Sequence, residues 1–212
     1  MATARRQQLI ETAERLFQRD GYRATGIDRI LAESGVAKMT LYRHFPAKAD
    51  LVVAVLRQRC ARWRAGMEQA VARRADLPRE RLLAVFDVFE DWFASPGFAG
   101  CMFLKAAGEY GAIDDPVHRA AAEHHRDLLT YLRRLAVEAG AHRPARLARQ
   151  LMLLLIGATA ITQVNGPVGA GRQAREVAAV LLAQALAEPS SSDLSAEPGR
   201  GTTGPATARS RR

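Results

Sequence analysis

The sequence predicts an all-α fold, a small N-terminal three-helix unit joined to a larger helical domain. Three observations predict it. Apolar residues recur at helical three- and four-residue spacing through most of the first 188 positions. Pro and Gly mark the breaks, at Gly21, Gly35, Pro46, Pro78, Pro96-Gly97, Pro116, Gly140, Pro144 and Gly166-Pro167. And Thr25 to Lys48, TGIDRILAESGVAKMTLYRHFPAK, reads as two short helices around a tight turn at Ser34-Gly35-Val36.

In order, a first helix over about residues 5–20 puts Leu9, Ala13, Leu16 and Phe17 on one face with Ile10 alongside, and Gly21 closes it. Tyr22 begins a link. The second helix, 27–34, is capped by Thr25 and stripes Ile27, Ile30 and Leu31; the third, 38–45, faces it with Leu41 and Phe45, helped by Val36, until Pro46 stops it. These three helices make a helix-turn-helix domain over residues 1–48. From Lys48 to about Arg74 a long helix carries Leu51, Val52, Val55, Leu56, Trp63 and Met67 on one side. Six arginines stand against a single glutamate, Glu68, which suits a connector that transmits a tilt, or simply a solvated basic face.

The larger domain then runs to residue 188. Asp76 or Leu77 caps a helix with Pro78 in its first turn, and its run from Arg79 to Ala94 is apolar over most of its girth, as in an interior. Gly100 to Tyr110 reads as a short helix. Asp114 or Asp115 with Pro116 opens the next, which runs to Glu138 with Val117, Ala121, His124, Leu128, Leu132 and Leu135 inward. Helices over about 144–164 and 173–187 follow, the first striped by Leu147, Leu151, Leu154, Leu155, Ala158 and Ile161, the second by Val177, Val180, Leu181 and Ala185. Two such helices want more cover than one chain offers, and pairing with a second copy would give a four-helix bundle. Finishing an internal core is the plainer role. Residues 189–212, rich in Ser, Gly, Pro, Thr and Ala, are expected to be a disordered tail.

The formal net charge is +9 and it is segregated. Residues 1–75 hold 15 Lys and Arg against 7 Asp and Glu; residues 76–188 hold 12 against 13. The excess lies on and just after the helix-turn-helix, where a polyanion would be met. Two cysteines make no disulfide framework, no zinc-ligand spacing occurs, and no cofactor motif appears. The N-terminus carries no apolar signal region, and the run Leu151 to Val164 is short for a membrane span. A cytoplasmic protein is expected.

Between its inward positions the third helix displays Lys38, Met39, Thr40, Tyr42, Arg43 and His44, with hardly a carboxylate nearby. Cations, a hydroxyl, a phenol and an imidazole on under two turns suit phosphates and the acceptor-rich floor of a DNA major groove. A plainer reading lets Tyr42 cover the small core and leaves Arg43 and Lys38 solvated.

The stretch AERLFQRDGYRATGIDRILAESGVAKMTLYRHFPAKADLV resembles the N-terminal domain of the TetR/AcrR family of transcriptional regulators. Its LF, GY, T-x-I-x-x-I-x-x-x-x-G-V, TLYRHF and K-x-x-L features cover about residues 9–51. The resemblance implies an all-α homodimer that binds a palindromic double-stranded operator. It implies a C-terminal domain that binds a small-molecule effector and dimerises. It also implies phosphate contacts at Thr25, Thr40, Tyr42, His44 and Lys48, and base-edge contacts at Lys38, Met39 and Arg43. Ala37 stands where the family often has a Ser cap, and Met39 replaces a commonly small residue. Gly100 to Tyr110, GCMFLKAAGEY, further resembles a segment of one subset of these C-terminal domains.

An effector cavity would be lined by Phe89, Trp92, Phe93, Cys101, Phe103, Tyr110 and His124, mostly apolar with a few polar handles; ordinary core is the alternative. His124 and His125 point about 100° apart on a helix and do not readily share a metal ion. Two functions from other classes remain. A non-specific architectural DNA binder would fit the basic pI, and a helical enzyme would have to use the two histidines, for which no nucleophile motif or phosphate loop speaks.

Overall fold

The computed structural model describes residues 2–187, and among them every regular element is a helix. They are α1 (Ala2–Asp20), α2 (Ile27–Ser34), α3 (Lys38–His44), α4 (Lys48–Arg74), α5 (Pro78–Phe93), α6 (Met102–Glu109), α7 (Pro116–Glu138), α8 (Pro144–Asn165) and α9 (Ala170–Leu186). The tail expected over 189–212 lies outside the described residues.

Local chemistry sets the boundaries. Gly21, at φ 88°, closes α1 by donating to the Phe17 carbonyl. Gly35, at φ 63°, does the same for α2 and gives the turn into α3. Asp115 caps α7 by accepting from the Val117 N–H at 2.7 Å, with Pro116 in the first turn. The N-cap of α2 is Gly26, not Thr25. Thr25 is fully buried and its hydroxyl donates to the Gly21 carbonyl at 2.7 Å, so it ties the α1–α2 link together from within. α9 begins at Ala170, three residues earlier than its periodicity suggests, with Gly169 as a left-handed N-cap (φ 74°) and Gly171 inside the helix.

Two hydrophobic cores result, and α4 threads both. The first joins α1, Ile30, Val36, Leu41 and Phe45 to Leu51, Val52, Val55 and Leu56 of α4. It also takes in α6 and the start of α7, so packing continues across the expected boundary at Lys48. The second gathers Met67 and Val71 of α4 with α5, the rest of α7, α8 and α9. Between the two, over Arg57–Gly66, α4 has no fully buried side chain. α8, 22 residues long with an 18-residue stretch of mean hydropathy 1.5, is long and apolar enough to cross a membrane by composition. Here its inner face packs on α7 and α9 through Leu147, Leu151 and Leu155.

Candidate nucleic-acid interface and ligand cavity

α3 sits on α1 and α2 through Leu41 and the following Phe45, both buried, which turns its other side outward. Lys38, Met39, Tyr42 and Arg43 are exposed; Met39 is 82% exposed although apolar. Ala37 offers no side-chain cap. Lys38 has an exposed partner, Asp28, at 3.7 Å; among the described residues no carboxylate stands within ion-pair distance of Arg43. Thr40 and His44 are half-buried, and His44 leans its ring on Phe45. Lys48, at the start of α4, donates to the Arg23 carbonyl at 3.3 Å. Burial draws its ammonium below the ordinary lysine range, the Arg23 charge adds to that, and Glu109 opposes it. The surface therefore presents Lys38, Met39, Tyr42 and Arg43 together, flanked by Thr40, His44 and Lys48, while the Thr25 side chain is removed from it by burial.

At the seam between the two cores lies a cavity of about 30 Å³, room for one water. Phe89, Trp92, Cys101, Phe103 and His124 line it as the sequence suggests. Phe93 and Tyr110 do not. Phe93 turns to Phe98 in the turn after α5, at 5.4 Å between rings. Tyr110 follows the far end of α6 and stands edge-on to Tyr22, 6.4 Å away, with the Arg23 guanidinium over its ring. In their place α4 contributes Trp63 and Arg59, and α8 contributes Met152 and Leu155. His124 stacks on Phe103 at 3.7 Å and meets the edge of Trp63 at 4.6 Å. Burial, then the charges of His125 and Arg59, push its imidazole down to about 3, so it is neutral near pH 7, and its Nδ1 has no hydrogen-bond partner among the described residues. The Cys101 thiol is pushed up by burial and stays protonated.

Residues 9–55 match the family model for bacterial regulatory proteins of the tetR family, and residues 78–178 match the Tetracyclin repressor-like C-terminal domain. SCO4454, a TetR-family transcriptional regulator from Streptomyces coelicolor, is 32% identical and superposes with a TM-score of 0.77 over 87% of this chain and 97% of that one. This chain belongs to the TetR family. Similarly, sav143 from Streptomyces avermitilis is 33% identical, with a TM-score of 0.74 over 85% and 97% of the two chains. The HTH-type transcriptional activator FasR of Mycolicibacterium smegmatis is 39% identical over 88 residues, 42% of this chain and 40% of that protein. Less than half of FasR's length is thus matched.

In this TetR-family chain, two polar links that periodicity does not announce connect the cavity to the α1–α2 region. Arg59, from the cavity wall, holds the buried Glu14 of α1 at 3.0 Å, and Arg62 of the next turn grips the same carboxylate. At the far end of α6, the Glu109 carboxylate accepts from the backbone N–H groups of Tyr22 (3.0 Å) and Arg23 (2.6 Å). Tyr22, fully buried, donates its hydroxyl to the Met102 carbonyl at 3.1 Å. α6 thus has one end in the cavity wall and the other on the link that orients α2 and α3.

Proposed function

We propose that the chain is a cytoplasmic, homodimeric transcriptional regulator that binds a palindromic operator and is released from it by a small-molecule effector, most simply as a repressor. The outward face of α3 carries this reading. An 82%-exposed methionine beside a tyrosine and an arginine has no use in the chain's own packing, whereas a major groove offers it thymine methyls, phosphates and guanine edges. Lys38, Met39 and Arg43 are the base readers; Thr40, Tyr42, His44 and Lys48 hold phosphates and position the helix.

The second copy is supported by the outer faces of α8 and α9, where Leu153, Ile161, Val164, Val177 and Val180 are each about half exposed or more. Apolar side chains grouped on two adjacent helices suit an isologous bundle. Two readers so joined would meet half-sites one helical turn, about 34–36 Å, apart. FasR's name makes that relative an activator, and for this chain operator position relative to the promoter would set the sign.

Selecting bound sequences from a random duplex pool tests the reading. An inverted repeat should emerge, and Tyr42→Ala and Lys48→Ala should weaken binding to every sequence. Arg43→Ala should change which base is preferred at one position, by about 1–3 kcal/mol if its guanidinium is bidentate to guanine. Equal affinity for all duplexes at moderate salt would leave only an architectural binder.

A further inference from the structure

The seam cavity has a composition that restricts what it can hold. Its walls include four aromatic side chains, Trp63, Phe89, Trp92 and Phe103. Its ionisable groups are Arg59, His124, His125 and the protonated Cys101; among the described residues no Asp or Glu lines it. A cation would find no counter-charge in the lining, whereas an anion would find a partly buried guanidinium. The Nδ1 of His124, on a side chain 5% exposed, is a buried polar atom awaiting a partner.

Size and charge balance agree. At about 30 Å³ the cavity is too small for more than a water, but a surface groove of about 330 Å³ shares Arg59, Trp63 and Trp92 with it. Those three side chains are the partition, and displacing the half-exposed Trp92 would join the two spaces. Arg59 can turn to a guest without stranding Glu14, because Arg62 holds that carboxylate as well.

We propose that this cavity takes a planar aromatic acid, its ring between Trp63, Trp92 and Phe103, its carboxylate on Arg59 and a polar substituent facing His124. The proposal rests on the effector reading given above and names the effector's chemical class. The sequence has two tryptophans and both line the cavity, so intrinsic tryptophan fluorescence reports on its occupation.

The test titrates the full-length protein with benzoate and 3-phenylpropionate as probes, against benzyl alcohol, benzylamine and cyclohexanecarboxylate. The aromatic acids should perturb the tryptophan emission saturably and bind at least tenfold more tightly than the neutral, cationic and non-aromatic analogues. Arg59→Gln should weaken benzoate at least tenfold with little effect on benzyl alcohol, and Arg59→Lys should recover most of the loss. Gly66→Leu, which fills the groove from a helical position with open space above it, should weaken all the aromatic probes without lowering the melting temperature. The assignment is overturned if no probe binds, if benzylamine or cyclohexanecarboxylate matches benzoate, or if Arg59→Gln leaves benzoate affinity unchanged. Duplex selection without any probe separates the two claims. A preferred operator with no aromatic-acid binding sinks the ligand class alone; aromatic-acid binding with no preferred duplex sinks the regulator and keeps the site.

Discussion

A histidine buried with an unpartnered ring nitrogen is rare enough in proteins to carry a measurable signature. The folded chain holds His124 neutral down to about pH 3, whereas the unfolded chain protonates it near 6.5. Between those values the unfolded state binds the extra proton, so stability falls as pH falls, by roughly 2 kcal/mol from pH 7 to pH 5 for this group. His125 is displaced in the same direction by burial and adds to the slope. His124→Phe, which keeps a ring on Phe103, should flatten the difference between urea midpoints at the two pH values; an unchanged difference would show that other groups set it. Tyr22→Phe removes one buried hydroxyl donor and should cost about 0.5–1.5 kcal/mol by the same measurement. At this scale the sequence speaks through spacing: Leu41 and Phe45 are inward and Met39, Tyr42 and Arg43 outward because three- and four-residue steps allow nothing else. Glu14, Arg59 and Glu109 were illegible for the opposite reason. Each looks like a surface charge on its own helix, and what buries or engages it lies 45 to 87 residues away.

Among the elements, α6 is the one whose role depends on both its ends. Glu109 satisfies two backbone amides in the turn after α1, and Gly21 fits beneath it only because it lacks a Cβ, which would stand 3.0 Å from the carboxylate. Glu109→Ala should leave those amides to water and loosen the link. The loss should appear as faster amide hydrogen exchange at Tyr22 and Arg23, and about 1–3 kcal/mol of stability. α9 carries a comparable close approach. A Cβ at Gly171 would lie 3.1 Å from the Glu90 backbone, so Gly171→Ala should destabilise by about 1–3 kcal/mol, although alanine favours a free helix. Gly169 and Gly171 both read as loop in the sequence, since nothing local distinguishes the glycine needed for contact, Gly171, from the one needed for a turn, Gly169. α5, α7 and α8 were legible because their apolar faces are long; Phe93 and Tyr110 were misplaced because periodicity gives a face and not the neighbour it meets.

For the molecule as a whole, the proposed dimer depends on the outward apolar stripe of α8 and α9. Leu153→Glu with Val164→Glu should give a monomer by sedimentation, with little change in helicity and a sharp loss of operator affinity, since each half-site would then be bound alone. A dimer that survives both charges would place the contact elsewhere. The two cores share α4, whose 27 residues at 1.5 Å each make a rod about 40 Å long. Its C-terminal part is buried among α5 and α7 and its N-terminal part against α1, while the seam is held by polar contacts such as Arg59 and Arg62 on Glu14 of α1 and Arg64 on Asp127 of α7. A rod of that length converts angle into distance. A swing of about 10° around the seam would carry the Lys48 end of α4, about 20 Å away, roughly 3.5 Å, close to the rise of one base step along a strand, so a guest that nudges one tryptophan aside could put a reading helix out of phase with its bases.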